Sequence, residues 1–345
     1  MKKISIGGQA LIEGIMMKSP TKTAVAVRKP DGEIDITYIK EKHIKDKLPF
    51  LGWPVLRGVV SFIESMLLGY KALMLSADKS GLTELEEQEE AAKKQAKLEK
   101  KRQKAAAKGK EFKEPDEKQN KKSENIIITI VMAIGMVLGV ALAVFLFMWL
   151  PTAIFNGIAY ITNGAVTNVF RPLIEGVLKI GIFVGYVALV SLTKDIKRVF
   201  MYHGAEHKTI FCLEKGMELK VENVKDQSRF HPRCGTSFMI LMLIVGILIN
   251  LLIVTLFPAV TNLSILWVAI KILMVPLICG LGYELIKICG KYDNAATRII
   301  AAPGMWVQRL TTKEPEDDMI EVAIASIIAV LPDDEQVSID CCDKE

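Results

Sequence analysis

Four apolar runs, at about 126–150, 173–192, 238–257 and 265–285, limit what this chain can fold into. Each is long enough to cross the hydrocarbon core of a bilayer as a helix. In hydrocarbon every backbone N–H and C=O must be satisfied within the segment, so a helix is the expected form. Of the 345 residues, 51% are hydrophobic and 24% are charged. With so many of both kinds, the charged residues must be segregated from the apolar ones. The net charge of +5 is small for this length and does not by itself point to nucleic acid. The six cysteines form no Cys-x-x-Cys pair, so a disulfide framework is not expected. The N-terminal Met-Lys-Lys is followed by a short, glycine-broken apolar run and is read as uncleaved.

The connections set the expected orientation. The loop 151–172 carries one basic residue, Arg171, and the loop 258–264 carries none. The region before residue 126, the loop 194–236 and the tail after Lys287 are all rich in lysine and arginine. By the positive-inside rule both termini and the loop 194–236 are cytoplasmic, in a multi-pass protein of the cell inner membrane. The spans hold few ionisable residues (Glu175, Lys179 and Lys271, near span ends or unpaired), which speaks against a transporter.

Outside the spans the chain reads as follows. Residues 1–50 form a small β-rich unit, in which Thr23–Arg28 and Glu33–Tyr38 pair as a hairpin about the turn Lys29-Pro30-Asp31-Gly32. The glycine- and methionine-rich stretch Gly7–Met17 suits either a backbone cradle or an irregular buried strand. Residues 51–78 form an amphipathic helix with Arg57, Glu64, Lys71 and Asp78 along one side, expected at the membrane interface, with a re-entrant or soluble core helix as the alternative. Residues 79–124 are a linker, acidic and then basic, which suits a soluble tether or contact with anionic lipid or a ribosome. In the C-terminal part, 291–345, Ala302–Trp306 reads as a turn with an interfacial tryptophan, followed by a helix to Val330 and an acidic tail. The expected whole is a mainly α membrane protein: a four-helix transmembrane bundle in residues 125–290, with a cytoplasmic N-terminal β-hairpin unit and an interfacial amphipathic helix.

The chemistry gathers between Tyr202 and Ser237, where three of the four histidines fall. On a helix, His203 and His207 stack on one face with Glu206 beside them. The order His-x-x-Glu-His is that of the inverzincin motif, in which the histidines hold zinc and the glutamate serves as general base toward a bound water. If the second span simply continues, His203 lies roughly 15 Å beyond its end. His231 and Cys234 directly precede the third span, so both halves sit at one membrane face. His203, His207 and either His231 or Cys234 would give a tetrahedral metal its ligands, zinc being favoured by the mix of imidazole and thiolate. Helices also carry such residues at polar surfaces without a metal, no distal acidic ligand is identified by spacing, Glu284 and Glu214 being the candidates, and a site filled by four protein ligands would be structural. His231–Cys234 also suits a turn whose Arg233 binds lipid phosphate. Cys212 reads as a core residue, Glu284 as a boundary carboxylate with a partner, and His43 carries no assigned role.

These motifs, Gly7-Gly8-Gln9-Ala10 with Glu13–Met17, His203–Lys208, His231–Ser237, Tyr283-Glu284 and Pro303–Trp306, resemble the YqhQ-like family of bacterial membrane proteins over nearly the full length, the linker excepted. The resemblance implies a polytopic membrane protein catalogued as a predicted metal-dependent enzyme, with its function not established. Two expectations follow. One is a metal-dependent hydrolase of a membrane-associated substrate, with Glu206 as base. The other is a non-catalytic scaffold or assembly factor that recruits a translocon, a ribosome or a membrane-enzyme partner through its linker.

Overall fold

The computed structural model describes residues 6–40, 49–81, 130, 134–163, 170–292 and 294–332. His43, nearly all of the linker and the acidic tail from residue 333 lie outside them. The chain divides into two units, Met1–Gly81 with Pro151–Glu345, and Leu82–Leu150.

The N-terminal unit is larger than the expected hairpin. Strands β1 (Gly7–Leu11), β2 (Gly14–Lys18), β3 (Thr23–Arg28) and β4 (Ile34–Tyr38) form an antiparallel meander in the order β1-β2-β3-β4. The first hairpin closes at the pair Leu11 and Gly14, with Glu13 in a left-handed conformation. Both faces of this sheet are covered. Ile15, Met17, Ala24 and Ala26 join one apolar core, whereas Leu11, Met16, Val25 and Val27 join another. Burial on both sides is why β2 and β3 read as near-continuous apolar runs, whereas β4, with Ile36 and Tyr38 exposed, alternates.

Helix α1 (Leu56–Lys79) covers the second face with Leu68 and Ala72. Near its start, Gly58 lies against Gly280 and Tyr283, and Arg57 grips Glu284 through two hydrogen bonds of 2.6 and 2.5 Å. The boundary carboxylate thus has its partner. Ile63, Met66, Leu67, Tyr70 and Met74 on the remaining face are exposed.

Among the described residues five helices, not four, are long and apolar enough to cross a membrane, and α1 is the added one. The others are α2 (Ile134–Ile161), α3 (Arg171–Val190), α6 (Gly235–Leu256) and the Ser264–Cys289 part of α7 (Ser264–Lys291). Within α2 the turn Phe145–Trp149 is a π-helix. Helix α3 does not run on to the histidines as the 15 Å estimate assumed. It stops where Ser191 and Thr193 turn their hydroxyls back onto the Ala188 and Val190 carbonyls, and α4 (Lys194–Glu214) starts anew. A short α5 (Val221–Lys225) follows.

The Pro303–Trp306 segment is a second correction. It lies inside α8 (Ala295–Thr311), not in a turn. Asn294 and Thr297 form a reciprocal capping box that starts the helix. Its face of Thr297, Gly304, Val307, Gln308 and Thr311 is buried, with Gly304 against Ser237 of α6. Those contacts outweigh the hydrogen bond that Pro303 removes. Trp306 is exposed, with the Arg309 guanidinium 5.9 Å from its ring. Helix α9 (Asp317–Val330) opens with Asp317 and Asp318 in its first turn and lays Met319, Ile320, Ala323 and Ile327 on the first face of the sheet, together with Tyr202 and Ala205 of α4.

The two faces of α1 predict different costs. Leu68→Ala opens a cavity against the sheet and should cost about 2–5 kcal/mol, while Leu67→Ala, on the exposed side, should change stability by about 0.5 kcal/mol or less. Thermal unfolding in detergent, followed by tryptophan fluorescence, measures both. Equal losses would mean that α1 does not pack as described.

Candidate metal centre

Helix α4 is held on two sides. At the β1–β2 turn, Glu13 receives the Arg198 guanidinium and the Tyr202 hydroxyl, the latter at 3.1 Å. One helical segment further on, Glu206 reaches Gly8 and accepts a hydrogen bond from its backbone N–H. A Cβ at residue 8 would lie 2.8 Å from the Met16 carbonyl oxygen and 3.0 Å from the Glu206 carboxyl carbon. Glycine is required there by space. On another side a Cβ at Gly204 would overlap the Lys313 carbonyl oxygen. Its absence lets the α8–α9 connection run against α4, with Lys313 N–H donating to the Phe200 carbonyl at 2.8 Å.

The second half of the centre is built by the approach to α6. Cys234 is the N-cap of that helix, its Sγ accepting from the Thr236 N–H at 3.4 Å. Gln308 of α8 clamps the preceding turn. It accepts from the His231 N–H at 2.8 Å and donates to the His231 carbonyl at 2.7 Å and to the Ser237 hydroxyl at 2.9 Å.

These constraints bring His203, His207 and Cys234 together, with one donor atom of each lying within 4.8 Å of the others. His203 Nε2 is 3.2 Å from Cys234 Sγ. Its Nδ1 faces the Thr311 carbonyl at 2.8 Å, and His207 Nδ1 faces the Arg229 carbonyl at 2.6 Å. A carbonyl oxygen can only accept, so each Nδ1 carries a proton and each neutral ring keeps its lone pair on Nε2. This is the outer-shell arrangement that orients metal-binding imidazoles. Burial pushes the His207 pKa down, which favours the neutral, ligating form.

His231 stands apart from the triad. Its ring centroid is 5.7 Å from that of His207, its Nδ1 accepts from the Arg233 N–H at 3.3 Å, and its Nε2 faces Glu214 at 3.5 Å. Both nitrogens are therefore engaged elsewhere. Burial pushes its pKa down to about 4. The two acids considered as distal ligands are also occupied: Glu284 by Arg57, and Glu214 by Arg233 and His231.

Glu206 is 4% exposed, and its Oε2 has no hydrogen-bond partner among the described residues. Burial raises its pKa, opposed by His203, His231 and the Gly8 N–H. Gly8, though not Gly7, thus lies against Glu206, a role that glycine in a strand signals only as a close approach of some kind. The carbonyls of Thr311 and Arg229 carry no side-chain signature at all. Gln308 had none beyond its place near the Pro303 motif.

Residues 53–333 match the family model described as "Protein of unknown function (DUF1385)". Over 334 residues the chain is 33% identical to "Uncharacterized protein YqhQ" of Bacillus subtilis (strain 168), an alignment that covers 94% of this chain and 92% of that protein. No solved structure matches.

The geometry predicts about one metal ion per chain in detergent-purified protein, since three ligands of this kind suffice for a tetrahedral ion with one further position. Elemental analysis should find it retained in His231→Ala and lost in the double variant His203→Ala/His207→Ala.

Proposed function

Because the chain belongs to the DUF1385 family, whose function is not established, its activity is argued from the site, and we propose a metal-dependent hydrolase on the cytoplasmic face of the inner membrane. Its ligands are His203, His207 and Cys234, its metal is zinc, and its substrate is an amide or ester presented at the membrane surface. The observation that carries this reading is the pair of imidazoles held by the Thr311 and Arg229 carbonyls, with His203 Nε2 turned to Cys234 Sγ and one donor atom of each of the three residues within 4.8 Å of the others. Imidazole with thiolate suits zinc. When bound, zinc supplies Lewis acidity and lowers the pKa of a coordinated water toward neutrality. The unpartnered Glu206 Oε2, with a pKa raised by burial, is poised to take a proton and to hold it for a leaving group. The exposed apolar side chains of α1, and Ile299 and Trp306 of α8, support a site set at the membrane surface.

A second reading rests on burial. His207 is 2% and Cys234 6% exposed, which favours a structural metal in a non-catalytic scaffold or assembly factor. In that case residues 79–124 recruit the partner, a translocon, a ribosome or another membrane enzyme.

Cobalt-substituted protein separates the two without a known substrate. An open coordination position predicts a visible spectrum that shifts on adding azide, in wild type and in Glu206→Gln alike. A spectrum indifferent to azide would put the scaffold reading in front. Orientation has its own check. A cysteine at Asn262, in an exposed position between α6 and α7, should react with a membrane-impermeant maleimide in intact cells, whereas one at Glu222 should react only after permeabilisation.

A further inference from the structure

The end of the bundle away from the histidine centre holds a second polar cluster. Between residues 125 and 193 the sole acidic residue is Glu175, against Arg171 and Lys179, and between 235 and 283 Lys271 stands with no acid. The apolar helices therefore enclose three cations and one anion. Arg171, Glu175 and Lys271 are each 2% exposed.

Glu175 is fully used. It accepts from Arg171 Nε at 3.0 Å, the Thr152 hydroxyl at 3.0 Å, Lys271 Nζ at 2.9 Å and Trp267 Nε1 at 3.1 Å. Arg171 is braced as well, donating to the Thr261 carbonyl at 2.8 Å and to Asn156 at 3.0 Å. The pair Glu175–Lys271 corrects the expectation that these spans carry unpaired charges. One carboxylate still balances only one cation, and two positive charges remain over.

Lys179 carries one of them. It lies one turn past Glu175 and about 12 Å along α3 from Arg171. The stripe it belongs to, Pro172, Glu175, Gly176, Phe183 and Val187, is buried, yet Lys179 is partly exposed and makes no hydrogen bond or ion pair with any described residue. Lys179 is thus the one cation of the cluster that is neither fully enclosed nor hydrogen-bonded among the described residues. On α6, Ile247 packs against Gly176, and one turn from Ile247 the buried Asn250 has an Oδ1 with no partner among the described residues. Surplus charge in a low-dielectric interior is costly unless it is compensated.

We propose that this cluster is an anion-binding site, with Lys179 as its recognition group and a phosphate-bearing dianion as its ligand, while Lys271 stays paired with Glu175 and Thr152. The charge of a dianion matches the surplus, and ammonium groups bind phosphate as point charges. The phosphate comes either as a free ion or as the headgroup of a lipid phosphate. Arg171 positions Glu175 and does not contact the ligand.

The test uses detergent-purified full chain, wild type against Lys179→Met and Lys179→Gln. Thermal unfolding is recorded with inorganic phosphate and with chloride at equal ionic strength, and organic-extractable phosphorus is counted per chain. A free-ion site raises the wild-type Tm by several degrees in phosphate, and the rise is lost in both variants. A lipid-headgroup site leaves phosphate without effect on Tm, while wild type retains about one more extractable phosphorus per chain than either variant. The same phosphate response and the same phosphorus content in all three proteins would overturn the proposal. Because an uncompensated ammonium is removed, the variants are expected to fold at least as well as wild type, and Lys179→Gln keeps a polar group there should Lys179→Met fail.

Discussion

The close approach of α4 to β1 is the contact on which the centre depends. A helix that carries two histidines four residues apart needs its Glu206 accommodated, and the sheet offers room only where Gly8 has no side chain. The Glu13 carboxylate, joined to Arg198 and Tyr202, sets the position of α4 along the strand, so Glu206 meets Gly8 rather than a neighbour. With α4 so placed, Gly204 admits the backbone after α8, and the Thr311 carbonyl comes to His203. Moving α4 by one residue would break all of these at once.

The same α8 joins the centre to the bundle. Its buried face lies on α6, and its Gln308 holds the turn that leads to Cys234. Its outer face presents Trp306 and Ile299. The Thr311 carbonyl at the end of α8 meets His203, so one helix touches both halves of the centre. At the far end of the bundle, Glu175 performs a comparable joining role among α2, α3 and α7, where one carboxylate gathers donors from three helices. Its hydrogen bonds are formed away from bulk water, where leaving any one unmade is expensive.

Residue pattern made part of this legible. The apolar runs and the paired histidines could be read because hydropathy and helical spacing are local properties. The strand–turn–strand at Lys29–Gly32 was visible for the same reason. The first hairpin was obscured because a sheet buried on both faces shows no alternation. Pro303 misled because its local preference for a break was outweighed by the packing of Gly304 on Ser237. The choice between His231 and Cys234 lay outside local reach, since it turns on Arg233 N–H and Glu214 occupying the two His231 nitrogens.

By itself the sequence determined which segments are too apolar for water, which face of α4 carries the histidines, and that the apolar helices hold more cations than acids. These follow from composition and from the 3.6-residue repeat, which need no knowledge of neighbours. Only the tertiary structure decided that Gly8 lies beside Glu206, that Cys234 lies closer than His231 to the donor atoms of His203 and His207, and that Glu175 and Lys271 pair across helices. Gly8 and Glu206 lie 198 positions apart, Glu175 and Lys271 lie 96 apart, and Cys234 lies 27 and 31 from the two histidines, and only packing brings such groups together.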